Sequence, residues 1–200
     1  MSKPIYIERN TKETSIKLSL HPGSRQDTGA APEITMQTGL PFMDHMLNAF
    51  AFHGDWNLSI QAQGDIEVDP HHLVEDLGIV LGSAVRQLQE ELGPITRYGH
   101  MLLPMDDALG EAVVDLCNRP YLVYHAQWPQ QYVGAMDVSL FREFFYAFAA
   151  NARCNLHLNA RYGENSHHII EALFKAMGIA LRTAAAPLRS HDQLSTKGTL

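Results

Sequence analysis

Two segments of the chain repeat one charged phrase. DPHHLVEDLG spans Asp69–Gly78, ENSHHIIEAL spans Glu164–Leu173, and both contain His-His-x-x-Glu. On a helix, residues four apart share a face, so His71 pairs with Glu75 and His167 with Glu171. An imidazole and a carboxylate on one face can ligate one metal ion. Adjacent residues project about 100° apart at 3.6 residues per turn, so His72 turns away from the ion of His71, and His168 from that of His167. Two adjacent histidines per copy therefore point to two ions, each touched by both copies. A single His-His pair at a helix start serves equally well as a solvated cap; two copies in register, with the glutamate at one spacing, favour a metal.

The surrounding elements alternate. IYIERNTKETSIKLSL predicts two strands at a polar turn, with Ile16, Leu18 and Leu20 on one face. SRQDTGAAPE reads as a loop. PFMDHMLNAFAFHG predicts a helix, with Pro41 at its start and Gly54 after its end. DWNLSIQAQ is a strand, and HHLVEDLGIVLGSAVRQLQEEL has helical period up to Gly93-Pro94. RYGHMLLPM, LGEAVVDLC and PYLVYHAQW are strand-like; DVSLFREFFYAFAANA is a helix with a phenylalanine-rich core face; CNLHLNARY is a strand; SHHIIEALFKAMGIALRTAAA is the last long helix.

These elements fall into an internal repeat. HMLNAFAFHGDWNLSI, from His45, lies over EFFYAFAANARCNLHL, from Glu143, at 143 − 45 = 98 residues, matching Ala49 to Ala147, Phe50 to Phe148 and Leu58 to Leu156. The long helices match at 167 − 71 = 96, which also aligns Gly82 with Gly178 and Arg86 with Arg182. The fold class expected is α+β: a duplicated unit, each half a mostly β-sheet layer with a short and a long helix on one face. Residues 1–93 form the first half, 94–186 the second, and 187–200 a tail. His45 and Glu143 hold equivalent places on the short helices. The simplest closed arrangement gives one ion His71, Glu75, His168 and Glu143, and the other His167, Glu171, His72 and His45. No thiolate enters either set, which argues against a structural zinc or an iron–sulfur cluster. Imidazole plus carboxylate with open positions suits six-coordinate Mn²⁺ and accommodates Fe²⁺, Co²⁺ or Zn²⁺.

Composition narrows the classes. A net charge of −7 disfavours binding to nucleic acid. No apolar run approaches membrane-spanning length, and MSKPIYIERN lacks the apolar core of a signal peptide. Cys117 and Cys154 have no metal-like spacing and point to a reducing, cytoplasmic setting. His53, in FHGDW, is either a helix-terminal cation or a site residue. His157 sits at strand spacing and reads as a sheet residue. Asp106-Asp107 could cap a turn or supply a base, and the pattern favours the turn. Arg97, Arg119 and Lys197 are isolated basic residues, and STKG has the small donors beside a lysine that anion sites use.

RNTKET, GLPFMDHML, DPHHLVEDLGIVLG, NSHHIIEALFKAMGIAL and STKG together closely resemble the imidazoleglycerol-phosphate dehydratase family, in order and over nearly the whole chain. The resemblance is to the monofunctional form, since no room remains for a fused phosphatase domain. It implies dehydration of D-erythro-imidazoleglycerol phosphate to imidazole acetol phosphate in L-histidine biosynthesis. It also implies two Mn²⁺ per subunit and a hollow particle of 24 identical subunits with shared active sites. The implied metal ligands are His45, His71, His72, Glu75, His167, His168 and Glu171. Glu143 is the eighth, where plant and some bacterial members have histidine. The implied phosphate contacts are Arg97, Arg119, Ser195 and Lys197, with Lys175 as a helper and the tail closing on the substrate. His53 is a further candidate for substrate binding. In the implied chemistry the ring, held as imidazolate between two ions, expels the C3 hydroxyl to give a diazafulvene and acidifies the C2 proton. Glu13, in TKET, is the first candidate for acid–base work and for touching the substrate, followed by Asp106 and the neighbourhood of His45 and His71. Two other classes remain open: a dinuclear phosphate-ester hydrolase, and a non-catalytic protein whose His/Glu sites cement an oligomer.

Overall fold

The computed structural model describes residues 3–188. In the first half, β1 (Ile5–Asn10) and β2 (Thr14–Pro22) make the expected hairpin. β3 (Ile34–Gln37) and β4 (Trp56–Gly64) complete a sheet of order β1-β2-β4-β3, with β3 parallel to β4 and the other pairs antiparallel. In the second half, β5 (Tyr98–Met105), β6 (Ala108–Asp115), β7 (Tyr121–His125) and β10 (Asn155–Tyr162) repeat that plan in the order β5-β6-β10-β7, again with one parallel pair, β7 with β10. The α+β duplication expected from the sequence is therefore present strand by strand. Residues alternate in and out as a one-sided sheet requires, with Ile16, Leu18 and Leu20 buried.

Each half supplies a short and a long helix: α2 (Pro41–Gly54) with α3 (His71–Leu92), and α4 (Leu140–Ala152) with α5 (Ser166–Ala184). The long helices lie on their own sheets, α3 on β1 and β2, α5 on β5 and β6. The short helices pack across the duplication, α2 against α5 and α4 against α3. The four helices thus sit between the two sheets and share one hydrophobic core. Two glycines permit the exchange. A Cβ at Gly178 would overlap the carbonyl oxygen of Phe50, and one at Gly82 that of Phe148. Gly82 and Gly178 are repeat equivalents, as are Phe50 and Phe148, so the same backbone-to-backbone contact is made twice.

Three local features depart from the sequence expectation. The SRQDTGAAPE loop contains a one-turn helix, α1 (Arg25–Thr28), and ITMQ after it forms β3. The short β8 (Tyr132–Val133) and β9 (Met136–Asp137) form a further hairpin. Segments of two to four residues carry too little periodicity to be read, and their hydrogen-bond partners define them. Gly54 closes α2 from within rather than following it. Asp55 adopts the left-handed conformation at the end (φ 54°), as Arg153 does after α4 (φ 52°). Glycine is needed at 54 for a different reason: a Cβ there would strike the Gly178 carbonyl oxygen at 2.5 Å.

Replacing an exposed helical glycine by alanine stabilises by about 1 kcal/mol. At Gly178 overpacking against backbone costs about 1–3 kcal/mol or more and outweighs that gain. Gly178→Ala is expected to lower the melting temperature, as is Gly82→Ala; an increase in either variant by calorimetry would contradict the helix contacts described.

Candidate metal centre

The exchange of short helices brings His45, on α2, to His167 and Glu171, on the first turns of α5. His167 Nε2 lies 3.2 Å and His45 Nε2 3.5 Å from the same oxygen, Glu171 Oε2. The three ligand atoms lie within 4.8 Å of one another, and no other trio of His, Cys, Asp or Glu does so among the described residues. An octahedral ion with bonds of about 2.1 Å holds neighbouring ligand atoms about 3 Å apart, so these spacings and the nitrogen–nitrogen–oxygen donor set fit a divalent cation. Glu171 is buried, while the His45 and His167 side chains are 49% and 43% exposed, so the centre opens outward. Phe42 packs edge-on against both rings, with centroids 6.3 Å from His45 and 5.1 Å from His167. A pocket of about 640 Å³ adjoins His45, lined also by Leu40, Phe42, Ile66, Pro70 and Met136.

Glu171 is the hub of the charge arrangement. Its other oxygen, Oε1, accepts from Lys175 Nζ at 2.7 Å, one helical turn on. Desolvation pushes the Glu171 carboxyl upward, but the hydrogen bond and charge of Lys175, with His45 and His167, outweigh it and hold the group below its ordinary value. Lys175 is thus placed as the partner of Glu171. His53 projects from the last turn of α2; desolvation, then the charge of Lys175, lowers its imidazole pKa.

The partner histidines are held apart from this trio. His72 Nδ1 faces Asp65, 3.1 Å from Oδ2, with Glu13 Oε2 at 3.9 Å. The hydrogen bond to Asp65 raises the His72 pKa. His168 Nδ1 lies 2.5 Å from Asp107 Oδ1, and its Nε2 lies 3.6 Å from Asp106 Oδ2. Of the four-ligand set His167, Glu171, His72 and His45, three converge within one chain, and His72 does not join them. In the other set, His71 and Glu75 start α3, which packs on α4, where Glu143 pairs with Arg142 at 3.3 Å. The repeat extends to the caps. Asp69 accepts from His71 N at 2.7 Å and Asn165 from His167 N at 2.9 Å, again 165 − 69 = 96 residues apart.

Asp106 and Asp107 form the tight turn between β5 and β6, with Asp106 at φ 47° and exposed. Asp107 does more than turn the chain, since Glu164 N and Asn165 N also donate to it. Its pKa falls to about 2, first through His168 and then through Glu164. Glu13 stands on the equivalent turn of the first sheet. That turn is tied down by Thr14 Oγ1 donating to Asp76 Oδ2 at 2.5 Å and by Asp65 N donating to Glu13 O at 3.1 Å. His157 is an exposed sheet residue opposite Val113 and Val123. Arg97 is buried and bidentate on Asp115 (2.6 and 3.1 Å), and Arg119 reaches the same carboxylate at 4.0 Å. Ser195 and Lys197 lie outside the described residues, as does the tail beyond residue 188. Sequence inspection missed Asp65, Asp115 and Phe42. Asp65 alone left a trace, an acid seven residues before His72.

Fold and centre define a duplicated α+β protein that gathers histidine and carboxylate donors from distant parts of one chain. The family model described as imidazoleglycerol-phosphate dehydratase matches residues 38–181. The chain is 50% identical to the imidazoleglycerol-phosphate dehydratase of Trichlorobacter lovleyi and 47% identical to that of Geobacter sulfurreducens, each over the full length of both proteins. It is also similar to two crystal structures of this dehydratase. The Staphylococcus aureus protein has a TM-score of 0.82 at 35% identity, covering 93% of this chain and all of the other; the Pyrococcus furiosus protein has 0.82 at 38%, covering 97% and all of the other. The chain belongs to the imidazoleglycerol-phosphate dehydratase family and is a hydro-lyase with a role in histidine biosynthesis.

The depressed Asp107 pKa fixes a pH effect. Its stabilising interactions are complete above the unfolded value of 3.8 and are lost as pH falls toward about 2. In urea titrations between pH 5 and 2, Asp107→Asn is expected to lose stability less steeply than the wild type; parallel slopes would contradict the pairing with His168.

Proposed function

We propose that the chain dehydrates D-erythro-imidazoleglycerol phosphate to imidazole acetol phosphate, using two Mn²⁺ ions per subunit. The observation that carries this is the convergence of His45 with His167 and Glu171, which lie more than a hundred positions further along, into one thiolate-free donor set within a chain of this family. When bound, the ions would hold the substrate ring as imidazolate and supply Lewis acidity and a template. His45, His167 and Glu171 would hold one ion, with His72 as its fourth ligand. The repeat supports His71, Glu75, Glu143 and His168 as ligands of the other.

The reaction removes a proton from C2 and the hydroxyl from C3, releasing one water and leaving an enol that tautomerises to the ketone. It requires a carboxylate beside the ring that is exposed enough to exchange protons. Glu13 meets that need, being 55% exposed and 3.9 Å from His72 Nδ1. Asp106, 72% exposed and 3.6 Å from His168 Nε2, is the second candidate. Arg97 and Arg119, which both pair with Asp115, are the proposed phosphate contacts, since guanidinium groups match phosphate oxygens. His53, Lys175, Ser195 and Lys197 complete the proposed substrate contacts.

His72 and His168 are held away from the trio, while His45 and His167 are open to solvent. A second copy supplying the missing ligand would complete each centre. On this proposal, metal binding and assembly of the 24-subunit particle, acting in the cytoplasm, are one event.

Two experiments follow. Metal-free protein given Mn²⁺ and imidazoleglycerol phosphate is expected to form imidazole acetol phosphate, and Glu171→Gln to lose at least about 100-fold in kcat, the range typical of a lost electrostatic or acid–base group. Turnover of p-nitrophenyl phosphate without dehydration would instead indicate a hydrolase. Chelation is expected to shrink the particle in light scattering; an unchanged size would refute shared sites.

A further inference from the structure

His72 and His168, the two histidines that turn away from the convergent trio, are held through the same ring atom. Nδ1 of His168 lies 2.5 Å from Asp107 Oδ1, and Nδ1 of His72 lies 3.2 and 3.1 Å from the two oxygens of Asp65. An ionised carboxylate can only accept a hydrogen bond, so in both rings Nδ1 carries the proton. In a neutral imidazole that leaves the lone pair on Nε2, the atom on the far side of the ring from the carboxylate. The same division of labour, one nitrogen donating to a carboxylate and the other facing a metal, orients ligating histidines generally.

The two carboxylates are not copies of one another. Leu18 pairs with Ile60 in the first sheet and Ala112 with Leu158 in the second, and Ile60 and Leu158 are repeat equivalents at 158 − 60 = 98. The hairpins therefore correspond at 112 − 18 = 94, and the equivalent of Asp107 is Glu13, since 107 − 13 = 94. Glu13 occupies the right position in the first half, but its carboxylate stops 3.9 Å from His72 Nδ1. Asp65, just beyond the end of β4, has taken the contact. The bulge between Ala160 and Tyr162 adds one residue to β10, so Gly163 matches Gly64 and the repeat equivalent of Asp65 is Glu164, whose backbone N–H donates to Asp107. Two unrelated positions have thus arrived at one geometry around equivalent rings. Generic surface pairing does not require that coincidence of atom and direction.

We infer that Asp65 and Asp107 are positioning residues that fix the proton on Nδ1 of His72 and His168 and aim the Nε2 atoms at the two metal sites. This rests on the metal ligation proposed above. It also explains what separates Glu13 from its counterpart: with Asp65 holding His72, the Glu13 carboxylate keeps no orienting duty and is free to face the substrate.

Asp65 carries the cleaner test. Its side chain bonds to His72, whereas Asp107 also anchors Glu164 N and Asn165 N. The measurement is Mn²⁺ titration of the metal-free, full-length protein, with free Mn²⁺ followed by electron paramagnetic resonance, and the melting temperature of each metal-free variant beside it. Asp65→Ala is expected to weaken one of the two ions by about 10–100-fold, to leave the other unchanged and to melt with the wild type. Asp65→Asn, which keeps an acceptor but not the charge, should fall between. Asp107→Ala should weaken the other ion. Two unchanged Mn²⁺ affinities in Asp65→Ala would overturn the inference while leaving the metal sites intact. A wild type that takes up no Mn²⁺ would instead bring down the ligation it rests on.

Discussion

The register of α2 on α5 governs the rest of the structure. The Phe50 carbonyl oxygen sits where a side chain on Gly178 would stand, so two helices from opposite halves touch backbone to backbone. From that contact, His45 lies five residues toward the start of α2 and Glu171 seven toward the start of α5. At 1.5 Å per residue these are similar distances, and both run toward the helix N-termini. The helices therefore present His45 and Glu171 side by side. A slip of one residue on either helix would rotate one of them about 100° out of the centre. A position that demands glycine thus sets where the chemistry can occur.

The same exchange repeats at Gly82 and Phe148, and this makes the duplication more than a similarity of sheets. Neither half could bury its helices alone. α2 needs α5, and α4 needs α3, so the two units share one core and the His45, His167 and Glu171 centre draws on both. Within that frame the halves differ widely in sequence, including at the candidate site residues. Histidine stands at 45 and glutamate at 143, glutamate at 13 and aspartate at 107, aspartate at 65 and glutamate at 164. The shared geometry is set by packing.

Charge around Glu171 shows why the centre is stable as a cluster of polar groups. A buried carboxylate would ordinarily take up a proton or pull in water. Lys175 on one oxygen and two imidazoles on the other keep it ionised without opening the core. The arrangement leaves the outward sides of His45 and His167 exposed, so the price of burial falls on the carboxylate while the nitrogen ligands remain accessible.

Much of this was legible in the sequence. Helical period and punctuation place α2, α3 and α5 to within a residue or two, and the doubled His-His-x-x-Glu, with residues matched at 98 and 96, reveals the α+β duplication before any coordinates. Local pattern can do this because helix faces and strand alternation repeat every few residues. It could not show β3, α1 or the β8–β9 hairpin, which are too short to have a period and exist through their partners. It also could not show that Asp65 rather than Glu13 holds His72, or that Arg97 is buried against Asp115. Residue types and spacing along one helix determined which groups could bind metal; which of them meet depended on contacts between helices and turns distant in the chain. Those contacts are fixed by steric fit, at Gly178 and Gly82 above all, and steric fit exists only once the chain has folded.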